Sequence, residues 1–169
     1  MEIILYILPE VFLSLSMMTL LMIGVFVNKS YRLVNLLAIL TMIFAIVLVF
    51  NQSTQTIKVF NNSYIIDHLS IYMKILTLLF CLLVLIISEN YVKINKINKI
   101  EYPVIILGST LGMLLMISSY DLIVFYLGLE LQSLCLYILA SFKRDDVRST
   151  EAGLKYFVLS ALEIGRAHV

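Results

Sequence analysis

The sequence predicts an all-α protein, a polytopic transmembrane helix bundle with about five full spans, a partial sixth, and the N-terminus outside. Of its 169 residues, 62% are hydrophobic and 14% are charged, and the mean hydropathy is +1.02. Soluble domains contain roughly 45–50% apolar and about 25% charged residues. The apolar residues also form runs close to the ~20 residues that one helix needs to cross a bilayer. The uneven placement of lysine and arginine between the loops is the third indication.

Composition excludes several other classes of protein. Six glycines, two prolines and two cysteines are too few for a collagen-like, low-complexity or disulfide-rich chain. The net charge of +1 gives no basic excess for nucleic acid and no acidic excess typical of disorder. We therefore expect the lipid bilayer as a partner and no nucleic acid.

Five apolar runs predict the spans, and they cover residues 3–27, 33–50, 71–88, 103–119 and 122–141. A sixth run opens at Ala152 and loses its apolar character after Leu162, which makes it about half a span. The first run follows Met1 and Glu2 and has no positive n-region or small-residue cleavage site. It therefore predicts a permanent span and not a signal peptide.

The positively charged loops predict the orientation. Loops between spans one and two, three and four, and five and six contain eight basic residues, namely Lys29, Arg32, Lys93, Lys96, Lys99, Lys143, Arg144 and Arg148. Outside the spans, the opposite side has only Lys58, in the loop of residues 51–70. Short loops rich in lysine and arginine stay on the cytoplasmic or matrix side, so the N-terminus is predicted to lie outside.

Glu130 lies in the middle of the fifth run, where an ionisable side chain costs on the order of 2.5–3.5 kcal/mol. At 100° per residue, Tyr126, Ser133 and Tyr137 share its face, so the helix is expected to turn Glu130 toward other helices. From the residues alone, two interpretations stay open. Glu130 is either a protonated, hydrogen-bonded strut or a carboxyl that takes and releases protons within the membrane.

Two lysines are further candidates. Lys155 lies one turn into the sixth run and four residues after Glu151, a spacing that favours an ion pair on one helix. Both a lysine that snorkels to the inner interface and a functional charge fit this position. Lys74, near the start of the third run, fits snorkelling to the outer interface at least as well as a functional role.

Other site chemistry is absent from the sequence. Cys81 and Cys135 are far apart in apolar runs, lack the C-x-x-C spacing of a metal or cluster site, and are predicted to be packing residues. His68 has no second histidine near it, and no glycine-rich phosphate loop occurs. We therefore expect no metal site and no cofactor site in this chain.

Several motifs carry a resemblance to a known family. The strongest are Glu101-Tyr-Pro-Val, Leu111-Gly-Met-Leu-Leu-Met-Ile-Ser, Asp121-Leu-Ile-Val-Phe-Tyr-Leu-Gly-Leu-Glu-Leu-Gln-Ser-Leu and Ser149-Thr-Glu-Ala-Gly-Leu-Lys-Tyr-Phe. Weaker echoes are Leu8-Pro9-Glu10 and Asp67-His-Leu-Ser-Ile-Tyr-Met-Lys74. Together, over residues 8 to about 162, they closely resemble the antiporter-like subunit N family of NADH-quinone oxidoreductase, respiratory complex I. Its mitochondrial counterpart is NADH dehydrogenase subunit 2.

The resemblance implies a membrane-arm subunit of complex I, in which NADH-driven quinone reduction moves protons across the membrane. It implies that Glu130 is the family's buried carboxylate, which relays or modulates charge, and that Lys155 is a further family position with a less settled role. The expected partners are the other membrane-arm subunits. NADH, FMN, iron–sulfur clusters and quinone are expected to be handled by other subunits, and the chain alone to be inactive.

The resemblance has a boundary. Family chains continue through a broken helix with a central lysine and an inverted repeat, so this sequence covers roughly a third of the pattern. Residues 1–162 are predicted to form an N-terminal transmembrane bundle. Residues 163–169 do not match and are expected to end the sixth helix early, as in a gene fragment, a split gene or an assembly artefact.

Two other functions stay open, together with the location. One is a subunit of the related cation/proton antiporter complex, in which Glu130 serves sodium–proton exchange. The other is a structural membrane scaffold, in which Glu130 only holds helices together. The expected location is the inner (plasma) membrane of a bacterium, as a multi-pass protein, and the alternative is the mitochondrial inner membrane.

Overall fold

The computed structural model describes residues 6–26, 31–52, 56–60, 62–95 and 97–166, with side chains up to Leu162. Two of the basic residues used to predict the orientation, Lys29 and Lys96, lie outside the described residues. So do residues 1–5 and 167–169.

Within the described residues, the fold consists of six helices and one short hairpin. The elements are α1 (Leu8–Phe26), α2 (Tyr31–Phe50), β1 (Ile57–Val59), β2 (Tyr64–Ile66), α3 (His68–Ile94), α4 (Glu101–Ile117), α5 (Leu122–Ala140) and α6 (Val147–Arg166). Four of the helices, α1, α2, α3 and α5, are long and apolar enough to cross a membrane. Another helix, α4, is also apolar but is shorter, with 17 residues. The predicted all-α membrane bundle is confirmed.

Local sequence sets several of the helix starts. Asp67 caps α3, because its carboxylate accepts a hydrogen bond from the Ser70 N–H at 2.7 Å. The Asp67 N–H donates in return to the Ser70 hydroxyl at 2.9 Å, which completes a reciprocal cap. Pro9 and Pro103 lie in the first turns of α1 and α4, where proline removes no intrahelical hydrogen bond.

The helix α4 lies at the centre of the bundle and contacts α1, α2, α3 and α5. Buried apolar side chains from the first four helices form one core around it, namely Leu13, Leu20, Val34, Ala38, Met42, Ala45, Val49, Leu78, Leu85, Val104, Ile106, Leu107 and Leu114. Elsewhere on these helices many large apolar side chains are exposed, as expected of surfaces that face lipid.

Two glycines allow α4 and α5 to approach closely. A Cβ atom at Gly112 would lie 2.8 Å from the Gly128 carbonyl oxygen and 2.7 Å from the Gln132 backbone nitrogen. A Cβ atom at Gly128 would lie 2.9 Å from the Gly112 carbonyl oxygen. Because the clashing atoms are backbone, these positions require glycine, as is typical of closely packed membrane helices.

The antiparallel hairpin β1–β2 lies within residues 51–70, for which the sequence predicts only an outer loop. It is joined to the turn between α4 and α5, since the Ile65 N–H donates to the Ser118 carbonyl at 2.9 Å and the Tyr120 N–H donates to the Ser63 carbonyl at 3.0 Å. The Lys58 ammonium also lies 4.1 Å from the centre of the Tyr120 ring. These two connections therefore lie at the same end of the bundle.

The other end of the bundle holds the positively charged loops. The Tyr102 and Phe142 rings meet at 5.4 Å, and the Lys99 ammonium lies 5.9 Å from the centre of the Phe142 ring. These contacts join the start of α4 and the loop before it to the loop between α5 and α6. The alternation of loops between two ends, inferred from charge, therefore agrees with the fold, and which end is outside stays a prediction.

The helix α6 packs against α5, where the Tyr137 ring lies 5.1 Å from the Tyr156 ring and 5.9 Å from the Phe157 ring. It runs on to Arg166, so the expectation that the helix ends early after Leu162 is wrong. Helical backbone continues because a single glycine, Gly165, lowers helix stability by only about 1 kcal/mol.

Candidate functional site

Glu130 lies on α5, on the face turned away from α4. The contact with α4 is made through Gly128, and Cys135 on the same side approaches Gly108. Helical geometry places Glu130 about 200° from Gly128 and close to the face of Tyr137, which contacts α6. Glu130 therefore lies on the side of α5 that faces α6.

The Glu130 carboxylate is only partly enclosed by the described residues. Its side chain is half-buried, and the oxygen Oε1 is inaccessible and has no hydrogen-bond partner within the described part of the chain. The Tyr126 side chain, one turn earlier, lies beside the carboxylate. No lysine or arginine of the described residues lies within 4.0 Å of it. Buried acceptors without a partner are uncommon in native folds, so we expect a further polar group to hydrogen-bond to this oxygen.

Lys155 is not brought to Glu130 by the fold. Its side chain is 70% exposed, and its Nζ atom lies 2.6 Å from Glu151 Oε1. This is the ion pair that the spacing of four residues indicates. Among the described residues, Lys155 therefore lies on the surface of α6.

A groove of about 900 Å³ lies between α5 and α6. Its polar lining consists of Gln132, Ser133, Tyr137, Tyr156 and Ser160. Ser133 and Tyr137 are the residues expected to share the Glu130 face, although Glu130 itself does not line the groove. The polar stripe predicted on α5 therefore borders a space between helices.

A second charged cluster was not predicted from the sequence. The Lys74 ammonium on α3 lies 2.7 Å from Glu10 Oε1 on α1, and the two side chains are 0% and 3% exposed. The Tyr64 hydroxyl on β2 donates to Glu10 Oε1 at 2.7 Å and accepts from Lys74 Nζ at 2.9 Å. We call Glu10, Tyr64 and Lys74 the outer charge cluster, because the hairpin at the predicted outer end supplies one of its members.

The outer charge cluster shows that the interpretation of Lys74 as a snorkelling lysine is wrong. Lys74 does not snorkel to the interface, since its ammonium is fully buried and paired. Desolvation of two charges is costly, and an ion pair with good geometry and additional hydrogen bonds offsets that cost. The second carboxylate oxygen, Glu10 Oε2, is buried and has no hydrogen-bond partner in the described part of the chain.

A signal for this cluster exists in the sequence. An acid within the first apolar run and a base within the third are each unfavourable in a membrane unless they meet a partner. The two segments with the weaker family resemblance, 8–10 and 67–74, end at Glu10 and Lys74. Tyr64 has no such signal, since only the hairpin places its hydroxyl between them.

The Tyr64 hydroxyl stays protonated in this environment. Burial raises the pKa of Tyr64 well above its ordinary value, and the nearby Glu10 carboxylate raises it further. The Ser118 side chain at the turn between α4 and α5 lies close enough to oppose this effect slightly. Tyr64 is thus a permanent hydrogen-bond donor to Glu10 at neutral pH.

The remaining candidate residues have simple surroundings. Cys135 is buried, and its Sγ atom would lie 3.0 Å from a Cβ atom at Gly108, in line with its predicted role in packing. Cys81 is half-buried on α3, and His68 is exposed at the start of α3. Within the described ranges, no group of three or more His, Cys, Asp or Glu side chains is placed to hold a metal ion.

The comparisons with known proteins agree with one another. Residues 119–164, which contain α5 and most of α6, match the family model described as NADH:quinone oxidoreductase/Mrp antiporter, transmembrane. This segment is therefore similar to a class of antiporter-like transmembrane subunits.

Within that class, the resemblance to subunit N of NADH-quinone oxidoreductase is confirmed. The chain is 56% identical over 161 residues to that subunit from Pelagibacter ubique strain HTCC1062, a match that covers 95% of this chain. It is 47% identical over 160 residues to that subunit from Azorhizobium caulinodans, covering 94% of this chain. A chain in a structure of respiratory complex I from Thermus thermophilus with bound aureothin matches 91% of this chain, with a TM-score of 0.76 and 25% identity.

The matched relatives are longer than this chain. It spans 34% of the length of both the Pelagibacter and the Azorhizobium subunit, and 33% of the Thermus chain.

Proposed function

We propose that this chain is part of a membrane-arm subunit of respiratory complex I and contributes to proton translocation coupled to NADH:quinone electron transfer. The observation that carries the proposal is the likeness to subunit N over 95% of the chain, at 56% identity. The same likeness in fold supports it, with a TM-score of 0.76. The segment that matches the antiporter family model also contains the half-buried Glu130.

In this proposal, Glu130 takes up and releases protons or modulates their movement. An intramembrane carboxylate marks an ion or proton pathway by default, because it is otherwise too costly to keep. Two observations support this role: Glu130 Oε1 has no hydrogen-bond partner among the described residues, and a polar groove is lined by Ser133 and Tyr137 on the same face of α5. The chain spans 34% of the Pelagibacter subunit, and the rest of such a subunit is proposed to supply polar groups beside Glu130 Oε1.

Lys155 is proposed to couple to this charge from α6. Its pair with Glu151 on an exposed helix face is compatible with a second role only if further helices cover that face. NADH, FMN, the iron–sulfur clusters and quinone are proposed to be bound by other subunits. The proposed partners are the other subunits of the membrane arm.

The proposed location is the inner membrane of a bacterium. The chain is a membrane protein by its apolar helices and its family match. The relatives reported above are bacterial subunits, which supports a bacterial membrane over the mitochondrial inner membrane.

The test is Glu130→Gln in the complete subunit within the membrane. We expect the complex to assemble and the number of protons pumped per NADH oxidised to fall, because glutamine keeps the shape but cannot exchange a proton. Glu89→Gln is the matched control, since Glu89 makes a partly exposed pair with Lys93 on α3. Assembly is followed on native gels and pumping in sealed vesicles. Full pumping in an assembled Glu130→Gln complex would show that the role assigned to Glu130 is wrong.

A second candidate function is a subunit of a cation/proton antiporter complex. The description of the matched family model names both NADH:quinone oxidoreductase and the Mrp antiporter. The two are separated by sodium dependence, since only the antiporter would exchange sodium for protons in vesicles without NADH. Copurification of a tagged chain with complex I subunits favours the first function.

A further inference from the structure

The positively charged end of the bundle contains an open groove of about 540 Å³, which we call the inner groove. Its apolar walls come from α1, α4 and α5, and consist of Met17, Leu21, Val104, Ile105 and Ile138. A volume of this size lies in the range of ligand sites in proteins. The inner groove opens between membrane helices, where hydrocarbon is the surrounding medium.

Two basic side chains also line the inner groove, Lys99 from the loop before α4 and Arg144 from the loop before α6. Neither has a carboxylate within 4.0 Å among the described residues. By contrast, Lys93 pairs with Glu89 and Lys143 pairs with Asp146 at the same end of the bundle. Within the described residues, both cations that border the groove are therefore without a carboxylate partner.

One acidic residue tempers this charge. Glu101 lines the inner groove as well, in the first turn of α4, and its side chain is exposed. A carboxylate there is favourable for the helix dipole and can turn toward water. Because Lys99 and Arg144 carry two positive charges and Glu101 carries one negative charge, the groove has a net positive charge.

We propose that the inner groove binds an anionic phospholipid of the membrane leaflet at this end of the bundle. The headgroup phosphate would lie between Lys99 and Arg144, which donate charge-assisted hydrogen bonds, and one acyl chain would lie along Leu21 and Ile105. Basic pockets between membrane helices on the positive side are the expected sites for such headgroups. The proposal does not depend on the proposed function.

The experiment measures lipid binding to the full chain, solubilised in detergent together with the subunits that accompany it. Phosphatidylglycerol or phosphatidylcholine is titrated in, and the bound lipid is counted by native mass spectrometry. We expect phosphatidylglycerol to bind more tightly than phosphatidylcholine. In Lys99→Gln/Arg144→Gln, its affinity should fall by about tenfold or more, because two cations near the headgroup are lost.

Two variants separate a built site from general attraction. Arg148→Gln removes a positive charge from the first turn of α6, at the same end of the bundle as Arg144 but outside the groove, so we expect less than about a twofold change. Ile105→Trp fills the groove and keeps both cations, so we expect phosphatidylglycerol binding to weaken. Inorganic phosphate is not expected to compete, because it has no acyl chain to occupy the apolar walls.

The opposite results would overturn the proposal. An equal loss of binding in Arg148→Gln would show that only the net charge of this end matters. Unchanged binding in Ile105→Trp, or equal affinity for both lipids, would show that the inner groove does not hold a lipid chain beside its cations. Competition by inorganic phosphate would assign Lys99 and Arg144 to a free anion instead.

Discussion

At the scale of residues, Glu10 and Lys74 show how the bundle keeps two opposite charges in its interior. Each is nearly or fully buried, and each would be strongly unfavourable alone. Tyr64 adds two hydrogen bonds that fix their geometry. Because the three side chains come from α1, β2 and α3, the cluster joins the hairpin to two helices.

The first prediction concerns the balance of charge in this cluster. Lys74→Met leaves Glu10 buried without its partner and should lower the free energy of unfolding by about 3–5 kcal/mol. Adding Glu10→Gln removes the uncompensated charge, so the double variant should recover a large part of that loss. Thermal unfolding in detergent provides the measurement. A double variant less stable than Lys74→Met would contradict the ion pair as the main interaction.

The second prediction concerns Tyr64 and pH. Tyr64→Phe keeps the ring and removes the hydroxyl from Glu10 and Lys74, which should cost about 1–3 kcal/mol. The pKa of Tyr64 is raised in the fold relative to its ordinary value of 10.0, so the unfolded chain releases this proton first. The stabilisation is therefore complete below about pH 10 and is lost as pH rises above it.

This second prediction is checked by unfolding both forms at neutral pH and above pH 10. The stability gap between the native chain and Tyr64→Phe should narrow at the higher pH. A gap that stays constant would show that the hydroxyl is not buried as described.

At the scale of elements, the crossing of α4 and α5 depends on Gly112 and Gly128. Their close approach lets the backbones meet, whereas α6 contacts α5 through the larger rings of Tyr137, Tyr156 and Phe157. The backbones of α4 and α5 pack closely, whereas those of α5 and α6 are held further apart by the aromatic rings. This difference explains why the groove of about 900 Å³ lies between α5 and α6.

The third prediction tests this crossing. Gly112→Ala should destabilise the bundle by about 1–3 kcal/mol, because the added carbon meets backbone atoms at 2.7 and 2.8 Å. Gly108→Ala is the matched control on the same helix, since its added carbon meets the side chains of Cys135 and Met17 at 3.0 and 3.3 Å. Side chains can shift, so this control should cost less. Equal losses in thermal unfolding would argue against a backbone contact.

At the scale of the whole molecule, the two ends of the bundle differ in charge and in structure. One end has the hairpin bound to the turn between α4 and α5, and the other end has the basic loops joined at Phe142. This difference fixes which connections share a side of the membrane. Together with the positive-inside tendency, it predicts that the hairpin lies outside.

The fourth prediction follows from that orientation. In a variant without Cys81 and Cys135, a single cysteine at Asn62 should react with a membrane-impermeant maleimide added to intact cells. A single cysteine at Asn98 should react only after the membrane is opened. Both asparagines are exposed, one in the hairpin turn and one before α4, so accessibility alone does not separate them. Labelling in the reverse order would invert the proposed topology.

Much of the fold and part of the site were determined by the sequence itself. Long apolar runs decide where helices lie, because unpaired backbone groups are not tolerated in hydrocarbon, and the five predicted spans correspond to α1 through α5. The cost of a charge in a span identified Glu130 as a candidate, and the motifs around it identified the family.

The tertiary structure decided what depends on contacts between distant segments. Apolar periodicity does not say which faces meet, so the pairing of Glu10 with Lys74, 64 residues apart, appears only once α1 and α3 pack together. The hairpin is too short to leave a pattern, and Tyr64 acquires its partners only through it. The same holds for the inner groove, because Lys99 and Arg144 become neighbours only when two loops meet. Sequence sets the cost of burying each group, and packing supplies the partner that offsets it.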